Sequence, residues 1–296
     1  MAIERADLHT HTTASDGMDS PSSNVRLAAE AGLSGIAITD HDTVAGIEEA
    51  IREGQRLGLT VIPGVELSTV ARGNDIHILG YFIRWQDEEW LTRLRSLRDT
   101  RNKRNEMIVD RLVQLGVPVT MEQVIEIARQ KHSGNLPGST VGRPHIAEAI
   151  IRAGAAATMQ EAFDRYLAVG AAAYVNPPRI DPVEALKWIH EAGGASVIAH
   201  PGLYHDDELV EEIIKQGVTG IEVYHSDHGT PEETRYSALA AKYGLITTGG
   251  SDYHGARNGT LYHGAVGSRW TSMDAVRRLS REAGGSSDDG TTSLYN

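Results

Sequence analysis

A chain of 296 residues with a net charge of −12 is long enough for one α/β barrel or two ordinary domains. It contains no Cys, which excludes disulfides and thiolate ligands, so any metal must be held by His and carboxylate. The acidic balance argues against a surface for long duplex nucleic acid, and no apolar run approaches the roughly 20 residues of a membrane helix. Because no signal-like segment stands at the N-terminus, we expect a cytoplasmic protein without a membrane partner. The oligomeric state is open, and a monomer is compatible with these features.

Apolar strands and amphipathic helices alternate through most of the chain. The first helix begins at Ser20-Pro21, where Pro suits the first turn, and ends before Gly32. Alternation of this kind is typical of parallel βα units and indicates an α/β fold. We predict strands at 3–8, 35–39, 59–65, 196–199, 220–224 and 245–248, and helices at 21–31, 44–57, 182–192, 207–216 and 231–243.

Two segments interrupt this alternation. Residues 75–83 resemble an added strand, and the stretch after Asp87 is helical. It contains a long charged helix to Leu115, a helix from Met121 to Lys131, a Gly/Pro-rich loop and two short helices. The expected organisation is a barrel from residues 1–86 and 174–283, an inserted helical subdomain at 87–173, and a disordered tail at 284–296.

Side chains that bind metals follow the predicted strands. His9 and His11 share one strand face, because side chains two apart point the same way. With 13 His in 296 residues, roughly 0.6 pairs of this spacing are expected by chance, so the pair alone proves nothing. Other strand ends also carry His or acidic residues, and the carboxyl ends of parallel barrel strands meet on one face. The strand-end residues are His9, His11, Asp40, His41, Glu66, His200, Asp252 and His254.

The motifs DLHTHTTASDG, TDHDT, GVELS, IHILGY, GRPHI, IAHPG and GSDYHG occur in this order between Ile3 and His263. Together they resemble the polymerase and histidinol phosphatase (PHP) family of metal-dependent phosphoesterases. The helical segment before GRPHI resembles the subgroup of nucleoside 3′,5′-bisphosphate phosphatases and 5′→3′ exoribonucleases that act on short RNA. The resemblance implies a distorted (β/α)7 barrel of the PHP type that holds three divalent metal ions.

The resemblance also implies a set of metal ligands. One ion would be held by His9, His11, Glu66 and Asp252, a second by Glu66, His77 and His200, and a third by Asp16, His41 and His254. All nine positions are present, which favours an active enzyme over a degenerate copy. A donor set of His and carboxylate favours Mn²⁺, with Zn²⁺, Fe²⁺ or Mg²⁺ as alternatives. Such ions activate water as a nucleophile, here for attack on phosphorus.

Basic residues of the inserted segment are candidates for substrate binding. Arg143 and His145 stand where Pro144 begins a helix, and such a helix N-terminus is equally compatible with an anion site and with a solvated Arg beside a surface His. The family resemblance favours phosphate binding. Arg101 and Arg104 are spaced by three on a long charged helix, which is usually a solvated face. In the subgroup that the sequence resembles, this segment covers the metal site. We therefore expect Arg104, with Arg101, to grip a second phosphate.

Four other residues at or near the strand ends each have two candidate roles. Asp40, next to the predicted ligand His41, is expected to hydrogen-bond substrate or to assist proton transfer. His225 and His228 follow a strand at the active face. His228 resembles a substrate-contacting His of the subgroup and is assigned to catalysis, and His225 to substrate binding, with loop histidines of no function as the alternative. Asp7 either orients a metal ligand or caps a loop.

Three histidines, His132, His190 and His263, lie away from the matched motifs. We interpret them as structural or surface residues.

The resulting hypothesis is a metal-dependent phosphoesterase that removes the 3′-phosphate of nucleoside 3′,5′-bisphosphates. Trimming of short 5′-phosphorylated oligoribonucleotides from the 5′ end would use the same site. The alternatives are a histidinol-phosphate phosphatase, against which the long helical insertion argues, and a non-catalytic metal-binding PHP module. The expected partner is a small phosphorylated substrate, because the chain is acidic and has no broad basic groove.

Overall fold

The structure is a computed structural model that describes residues 3–131, 138, 140–257 and 260–284. The predicted tail beyond Gly284 and the predicted surface residue His132 lie outside these ranges. Among the described residues, no helix is long and apolar enough to cross a membrane.

A nearly closed, barrel-like sheet forms the centre of the molecule. Eight strands are hydrogen-bonded in the order β10-β1-β2-β3-β4-β5-β6-β7, and β8 pairs with β9 in a separate hairpin. The amide of Leu8 donates to the carbonyl of Gly249, which brings the first and last long strands together. The strands are β1 (Arg5–Asp7), β2 (Gly35–Ile38), β3 (Thr60–Ala71), β4 (Asn74–Tyr81), β5 (Ala195–Ile198), β6 (Gly220–His225), β7 (Ile246–Gly250), β8 (Ala256–Arg257), β9 (Thr260–Leu261) and β10 (Thr271–Ser272).

Two strands of the barrel sheet, β4 and β10, run against the others. β1, β2 and β3 are parallel, β5, β6 and β7 are parallel, and β4 is antiparallel to both of its neighbours. The other barrel strands therefore end at the edge where β4 begins. This reversal explains how His77, near the start of β4, reaches the same edge as residues that follow the ends of other strands.

β3 is longer than predicted. It runs to Ala71 and forms a hairpin with β4, in which Glu66 pairs with Leu79 and Ser68 pairs with His77. The prediction that Glu66 follows a strand end was therefore wrong, because Glu66 lies inside a strand that continues past the neighbouring strand end.

Helices surround the sheet, as the α/β pattern predicted. The final helix of the described chain packs beside β10 and β1 and was not predicted from the sequence. The helices are α1 (Pro21–Glu30), α2 (Ile47–Leu57), α3 (Glu88–Gln114), α4 (Met121–Lys131), α5 (Arg143–Arg152), α6 (Met159–Ala162), α7 (Pro182–Glu191), α8 (Asp207–Ile214), α9 (Thr230–Tyr243) and α10 (Met273–Glu282).

Local signals account for the ends of the first two helices. The hydroxyl of Ser20 accepts from the amide of Ser23 and caps α1, and Gly58 ends α2 with a left-handed φ of 69°. Glu53 on α2 joins the helices through ion pairs with Arg56 and Arg26. Hydrogen bonds from Arg56 and Arg26 lower the pKa of Glu53 to about 2.

The inserted helical segment has a hydrophobic cluster of its own. The first half of α3 buries Trp90 and Leu94 in the cluster that α7 and α8 share with the sheet. Its second half buries Ile108 and Leu112 in a different cluster with α4, α5 and α6. α3 thus spans the barrel and the insertion, and the subdomain at 87–173 stays a prediction that this packing favours.

Candidate metal centre and substrate pocket

Two histidines that follow β1 converge with two carboxylates from other strands. The Nε2 atoms of His9 and His11 lie 3.3 and 3.2 Å from Oδ1 of Asp252. The same nitrogens lie 3.5 and 3.2 Å from the carboxylate oxygens of Glu66. Metal–ligand bonds of about 2.0–2.2 Å place two ligands of one ion roughly 3 Å apart. These four side chains therefore have the geometry of ligands to one ion.

Glu66 also lies at the centre of a second group. Its Oε1 atom is 2.8 Å from Nδ1 of His77 and 3.1 Å from Nε2 of His200, and its Oε2 atom is 2.9 Å from Nδ1 of His41. Burial opposes the charged form of Glu66, but the charges of His77 and His41 hold its pKa well below the usual range. A carboxylate with imidazoles on both oxygens is suited to bridge two cations.

A third group lies beside the first two. His254 Nε2 is 3.3 Å and His41 Nε2 is 3.8 Å from the oxygens of Asp16. His11 Nδ1 lies 3.9 Å from the same carboxylate, so one ligand atom from each of these four residues falls within 4.8 Å of the others. The structure thus brings together all nine residues that the sequence predicted as metal ligands, including His77 from the reversed strand.

The unpartnered atoms of this cluster fit divalent cations. Within the described chain, Nε2 of His9, both ring nitrogens of His11 and Nδ1 of His200 are buried without a hydrogen-bond partner. Buried polar atoms without partners are costly unless another group satisfies them. Burial lowers the pKa of His200 to about 4, which favours the neutral imidazole that coordinates metals. The donor set, the burial and the spacing are therefore those of a metal centre.

A buried arginine of the inserted helix lies near this centre without a partner. Arg104 on α3 is 3% exposed, and within the described residues its Nε and Nη2 atoms have no hydrogen-bond partner. Burial and the positive charges of Arg143 and Arg101 lower the pKa of Arg104 well below its usual range. A guanidinium in such surroundings is suited to an anionic ligand.

Two further arginines make this region an anion pocket. Arg143 lies 2.8 Å from Asp75, and Arg179 contacts the other oxygen of the same carboxylate. The carboxylate of Asp75 thus interacts with three guanidinium groups, because the charge of Arg104 also acts on it. Asp75 and His77 are two apart on β4 and share a face, so the pocket adjoins the candidate metal centre. We call Arg104, Arg143, Arg179 and Asp75 the anion pocket.

The sequence profile of the PHP domain matches residues 7–175, which is more than half of the chain. The chain belongs to the PHP family. The predicted resemblance is thereby confirmed, and the match includes the whole of the inserted helical segment at 87–173.

Three curated relatives align with most of this PHP chain. A 5′-3′ exoribonuclease, Rnm, of Escherichia coli is 36% identical over 255 residues, 84% of each chain. A phosphoribosyl 1,2-cyclic phosphate 1,2-diphosphodiesterase of Eggerthella lenta is 32% identical over 84% of this chain and 94% of its own. A 3′,5′-nucleoside bisphosphate phosphatase of Chromobacterium violaceum is 30% identical over 86% of this chain and 88% of its own.

The barrel also has a close structural counterpart. A Bifidobacterium adolescentis protein, described as a candidate metal-dependent phosphoesterase, superposes with a TM-score of 0.83 at 32% identity. The superposition covers 94% of this chain and 96% of that one. The PHP-type barrel is thus confirmed. Together with the relatives, it shows that this PHP protein is a hydrolase of phosphate esters, which excludes the non-catalytic module.

Asp40 serves the loop that carries a predicted ligand. Its Oδ1 atom accepts from the amide of Thr12 at 2.8 Å and from the hydroxyl of Ser15 at 2.6 Å, and its Oδ2 atom accepts from the Thr12 hydroxyl at 2.7 Å. The loop leads directly to Asp16. These contacts favour a positioning role for Asp40, and the predicted part in proton transfer stays a prediction.

Arg101, unlike Arg104, is neutralised within the protein. Its guanidinium donates to Oδ2 of Asp42 at 2.7 and 3.0 Å and also contacts the hydroxyl of Ser68. Asp42 follows the predicted ligand His41, so this buried pair attaches α3 beside the metal centre. Arg101 therefore has fewer free donors than Arg104 for the predicted contact with a phosphate.

The two candidates at the start of α5 have different surroundings. Arg143 belongs to the anion pocket through its contact with Asp75, and its predicted role in substrate binding stays a prediction. The Nδ1 atom of His145 accepts from the amide of Gly142 at 3.0 Å, so this side chain caps the helix on which Arg143 lies. A direct contact of His145 with substrate stays a prediction.

The histidines that follow β6 are enclosed by the protein. His225 is fully buried, with Nε2 3.2 Å from Asp252 and Nδ1 accepting from the amide of Asp227. His228 donates from Nδ1 to the carbonyl of Val223 and accepts at Nε2 from the amide of Gly202. Because all four ring nitrogens have protein partners, the predicted substrate and catalytic contacts would require these bonds to break.

Sequence reasoning missed two residues of the centre. Glu222 on β6 is fully buried and contacts His9, and only its inward position on an otherwise apolar strand could have indicated it. His263 was predicted to be structural or on the surface. It lies 3.6 Å from Asp252, and its pKa is raised to about 9, because the charges of Asp252 and Asp227 outweigh its burial. Its exposed position agrees with a surface residue, but a loop without a motif also brings it into contact with the centre.

The remaining choices are settled by direct contacts. Asp7 accepts from the amides of His9, Ser251 and Gly267, so the loop-capping alternative is confirmed. His190 bonds to the hydroxyl of Ser196, as expected for a structural residue.

Proposed function

We propose that this phosphoesterase removes the 3′-phosphate of nucleoside 3′,5′-bisphosphates. The observation that carries the proposal is the anion pocket beside the metal centre, in which Arg104 is buried with two guanidinium nitrogens that have no hydrogen-bond partner among the described residues. A substrate with two phosphates places one at the metal centre and the other in this pocket. The names of two relatives, an exoribonuclease and a nucleoside bisphosphate phosphatase, are consistent with such substrates.

The metal assignment is part of this proposal. From the distances between donor atoms we assign one ion to His9, His11, Glu66 and Asp252, a second to Glu66, His77 and His200, and a third to Asp16, His41 and His254. Mn²⁺ is the proposed metal, because the donors are imidazole nitrogens and carboxylate oxygens. When bound, such ions polarise phosphoryl oxygens and lower the pKa of water.

The residues of the chain itself orient and desolvate the substrate. Arg104 and Arg143 present guanidinium groups that can form bidentate hydrogen bonds with a phosphate. Asp75 holds Arg143 and Arg179 in place before substrate arrives, so little ordering of side chains accompanies binding. Binding of the 5′-phosphate in this pocket would position the 3′-phosphate at the metal centre.

The same site accommodates the trimming of short oligoribonucleotides. A 5′-phosphorylated end bound in the anion pocket would present the first phosphodiester to the metal centre, with the rest of the strand as leaving group. The net charge of −12 favours short strands over long nucleic acid. Histidinol phosphate, in contrast, has one phosphate and would leave either the metal centre or Arg104 without an anion.

Phosphate release from four compounds by Mn²⁺-loaded protein tests the proposal. The compounds are adenosine 3′,5′-bisphosphate, a 5′-phosphorylated dinucleotide, histidinol phosphate and phosphoribosyl 1,2-cyclic phosphate. For the dinucleotide and the cyclic phosphate, the released nucleotide or ring-opened product is measured directly. We expect the highest kcat/KM for the bisphosphate. A higher value for histidinol phosphate or the cyclic phosphate would contradict the proposed substrate class.

His9→Ala tests the metal assignment separately from the substrate. The variant should lose bound Mn²⁺ and activity together, because the imidazole supplies one ligand of the first ion. Full activity in His9→Ala would contradict the assignment of His9 as a metal ligand.

A further inference from the structure

A fully buried carboxylate connects ligands of two different proposed ions. Glu222 on β6 lies with Oε1 and Oε2 3.2 and 3.1 Å from Nδ1 of His9. Its Oε2 atom also accepts from the backbone amide of His200 at 2.8 Å. His9 belongs to the first proposed ion and His200 to the second. Glu222 thus contacts His9 at Nδ1, the ring nitrogen opposite the one that lies near Glu66 and Asp252, and contacts His200 at its backbone amide.

The contact with His9 determines which ring nitrogen faces the metal. An ionised carboxylate only accepts hydrogen bonds, so Nδ1 of His9 carries the proton and donates to Glu222. The other nitrogen, Nε2, then has its lone pair directed at Glu66 and Asp252. A carboxylate behind a ligating imidazole fixes the ring and raises its basicity.

The contact with His200 concerns the backbone. His200 has a φ of 25° and a ψ of 56°, a conformation that residues with a side chain rarely adopt. It lies directly after β5, where the chain turns into the 3₁₀ helix Pro201–Tyr204. The hydrogen bond from its amide to Glu222 holds this turn and so directs the His200 ring toward Glu66. Strained backbone of this kind persists only where surrounding contacts maintain it.

We propose that Glu222 is a positioning residue that couples the first two metal sites, by orienting the His9 ring and the His200 backbone at once. The proposal rests on the metal assignment made under Proposed function and is independent of the identity of the substrate. It requires Glu222 to act through His9 and His200 and to bind no ion itself. The third proposed site has no hydrogen bond to Glu222 among the described residues and should not depend on it.

Glu222→Gln separates this role from simple filling of space. A Gln side chain has the same shape but presents one acceptor oxygen and one NH₂ donor. With its oxygen at the Oε2 position, Gln still accepts from both groups, but its NH₂ then lies opposite Nδ1–H of His9 at the Oε1 position. With its oxygen at the Oε1 position, its NH₂ opposes the amide of His200, so a donor faces a donor in either orientation. One of the two ligands must therefore change its tautomer or its backbone position. Because Glu66 is assigned to both ions, a displaced His9 or His200 should weaken the binding of both.

Binding of Mn²⁺ alone provides the test. Metal-free protein is titrated with Mn²⁺ by calorimetry, and anomalous diffraction at limiting Mn²⁺ gives the occupancy of each site. Glu222→Gln should weaken the first two sites by about 10- to 100-fold, the range typical for loss of such a partner. The site of Asp16, His41 and His254 should keep its affinity. Glu222→Asp, which keeps the charge but withdraws it by one methylene group, should weaken the same two sites.

Thr248→Val is the matched control. Thr248 is buried on β7 opposite Glu222 in the sheet register, and its hydroxyl bonds only weakly, at 3.5 Å, to the carbonyl of Ile221. This variant should bind Mn²⁺ as the wild type does. If it weakened the first two sites as much as Glu222→Gln does, the effect would be a general disturbance of the barrel and the proposal would fail.

Three further results would overturn the proposal. These are wild-type Mn²⁺ affinity at all sites in both Glu222 variants, loss of the third ion together with the first two, or anomalous density on Glu222 itself in the wild type. The last would make Glu222 a ligand. A wild-type protein that binds Mn²⁺ but prefers a different phosphate ester would contradict only the proposed substrate. A wild-type protein that binds no Mn²⁺ would contradict the metal assignment and this inference together.

Discussion

Replacing Arg104 with Met should stabilise the free protein and weaken substrate binding at the same time. Arg104 is 3% exposed, and two of its nitrogens have no hydrogen-bond partner among the described residues. A buried polar group without partners costs about 1–3 kcal/mol, and Met fills a similar volume without that cost. The free energy of unfolding of the metal-free, ligand-free protein should therefore rise by about 1–3 kcal/mol in Arg104→Met.

The opposite sign is expected for the substrate complex. A hydrogen bond to a charged group contributes about 1.5–3 kcal/mol, which corresponds to roughly 10- to 150-fold in KM. This loss should affect adenosine 3′,5′-bisphosphate, whose 5′-phosphate reaches the anion pocket. Adenosine 3′-monophosphate lacks that group, and its KM should change little.

Urea unfolding and steady-state kinetics measure the two effects. Lys103→Met is the control, because Lys103 is an exposed neighbour on α3 and its loss changes the net charge equally. It should leave both the stability and the ratio of the two KM values near those of the wild type. A destabilised Arg104→Met, or an equal rise in KM for both substrates, would refute the reasoning.

Three other predictions concern the attachment of the insertion, the α1–α2 contact and the loop before Asp16. Asp42→Asn or Arg101→Met alone should lower the free energy of unfolding by about 3–5 kcal/mol, because each leaves a buried charge without its partner. The double variant should lose clearly less than the sum of the two single losses, as measured by urea unfolding. Additive losses would contradict a direct pair. Glu53→Gln should lower stability at pH 7. Because the pKa of Glu53 is lowered to about 2 in the folded state, its contribution is complete above the unfolded value near 4.5 and declines below it, so the difference in urea midpoint from the wild type should shrink from pH 7 to pH 3. Asp40→Asn should weaken the third Mn²⁺ site and leave the shape of the pH–rate profile unchanged; loss of one limb of that profile would instead support proton transfer.

Much of the fold followed from the alternation of strands and helices. The parallel units around β1, β2, β5, β6 and β7 were predicted close to their observed positions, because local apolar periodicity reports burial directly. The direction of β4 was not, since an apolar strand has the same pattern whichever way it runs. The extension of β3 past Glu66 was missed for a related reason, because the hairpin turn at Arg72-Gly73 was not recognised.

The metal centre was predicted more fully than its surroundings. The nine proposed ligands lie within short sequence motifs, so recognising a motif also identified the ligand residue. Glu222 and His263 have no such motif. Glu222 looks like one polar residue in a strand, and His263 follows a loop that returns to the centre through contacts with distant residues, which include Asp227 and Asp252.

The sequence by itself determined the inventory of donors: histidine and carboxylate without thiolate, placed after successive strands, and a basic helix inserted beside them. Tertiary structure decided which of these groups are free to act. Arg101 and Arg104 have the same chemistry and lie three residues apart on α3, yet Asp42 bonds to one, while two nitrogens of the other have no hydrogen-bond partner among the described residues. The physical reason is that charge pairing depends on distances of a few ångströms between distant parts of the chain, which residue spacing along a helix does not contain.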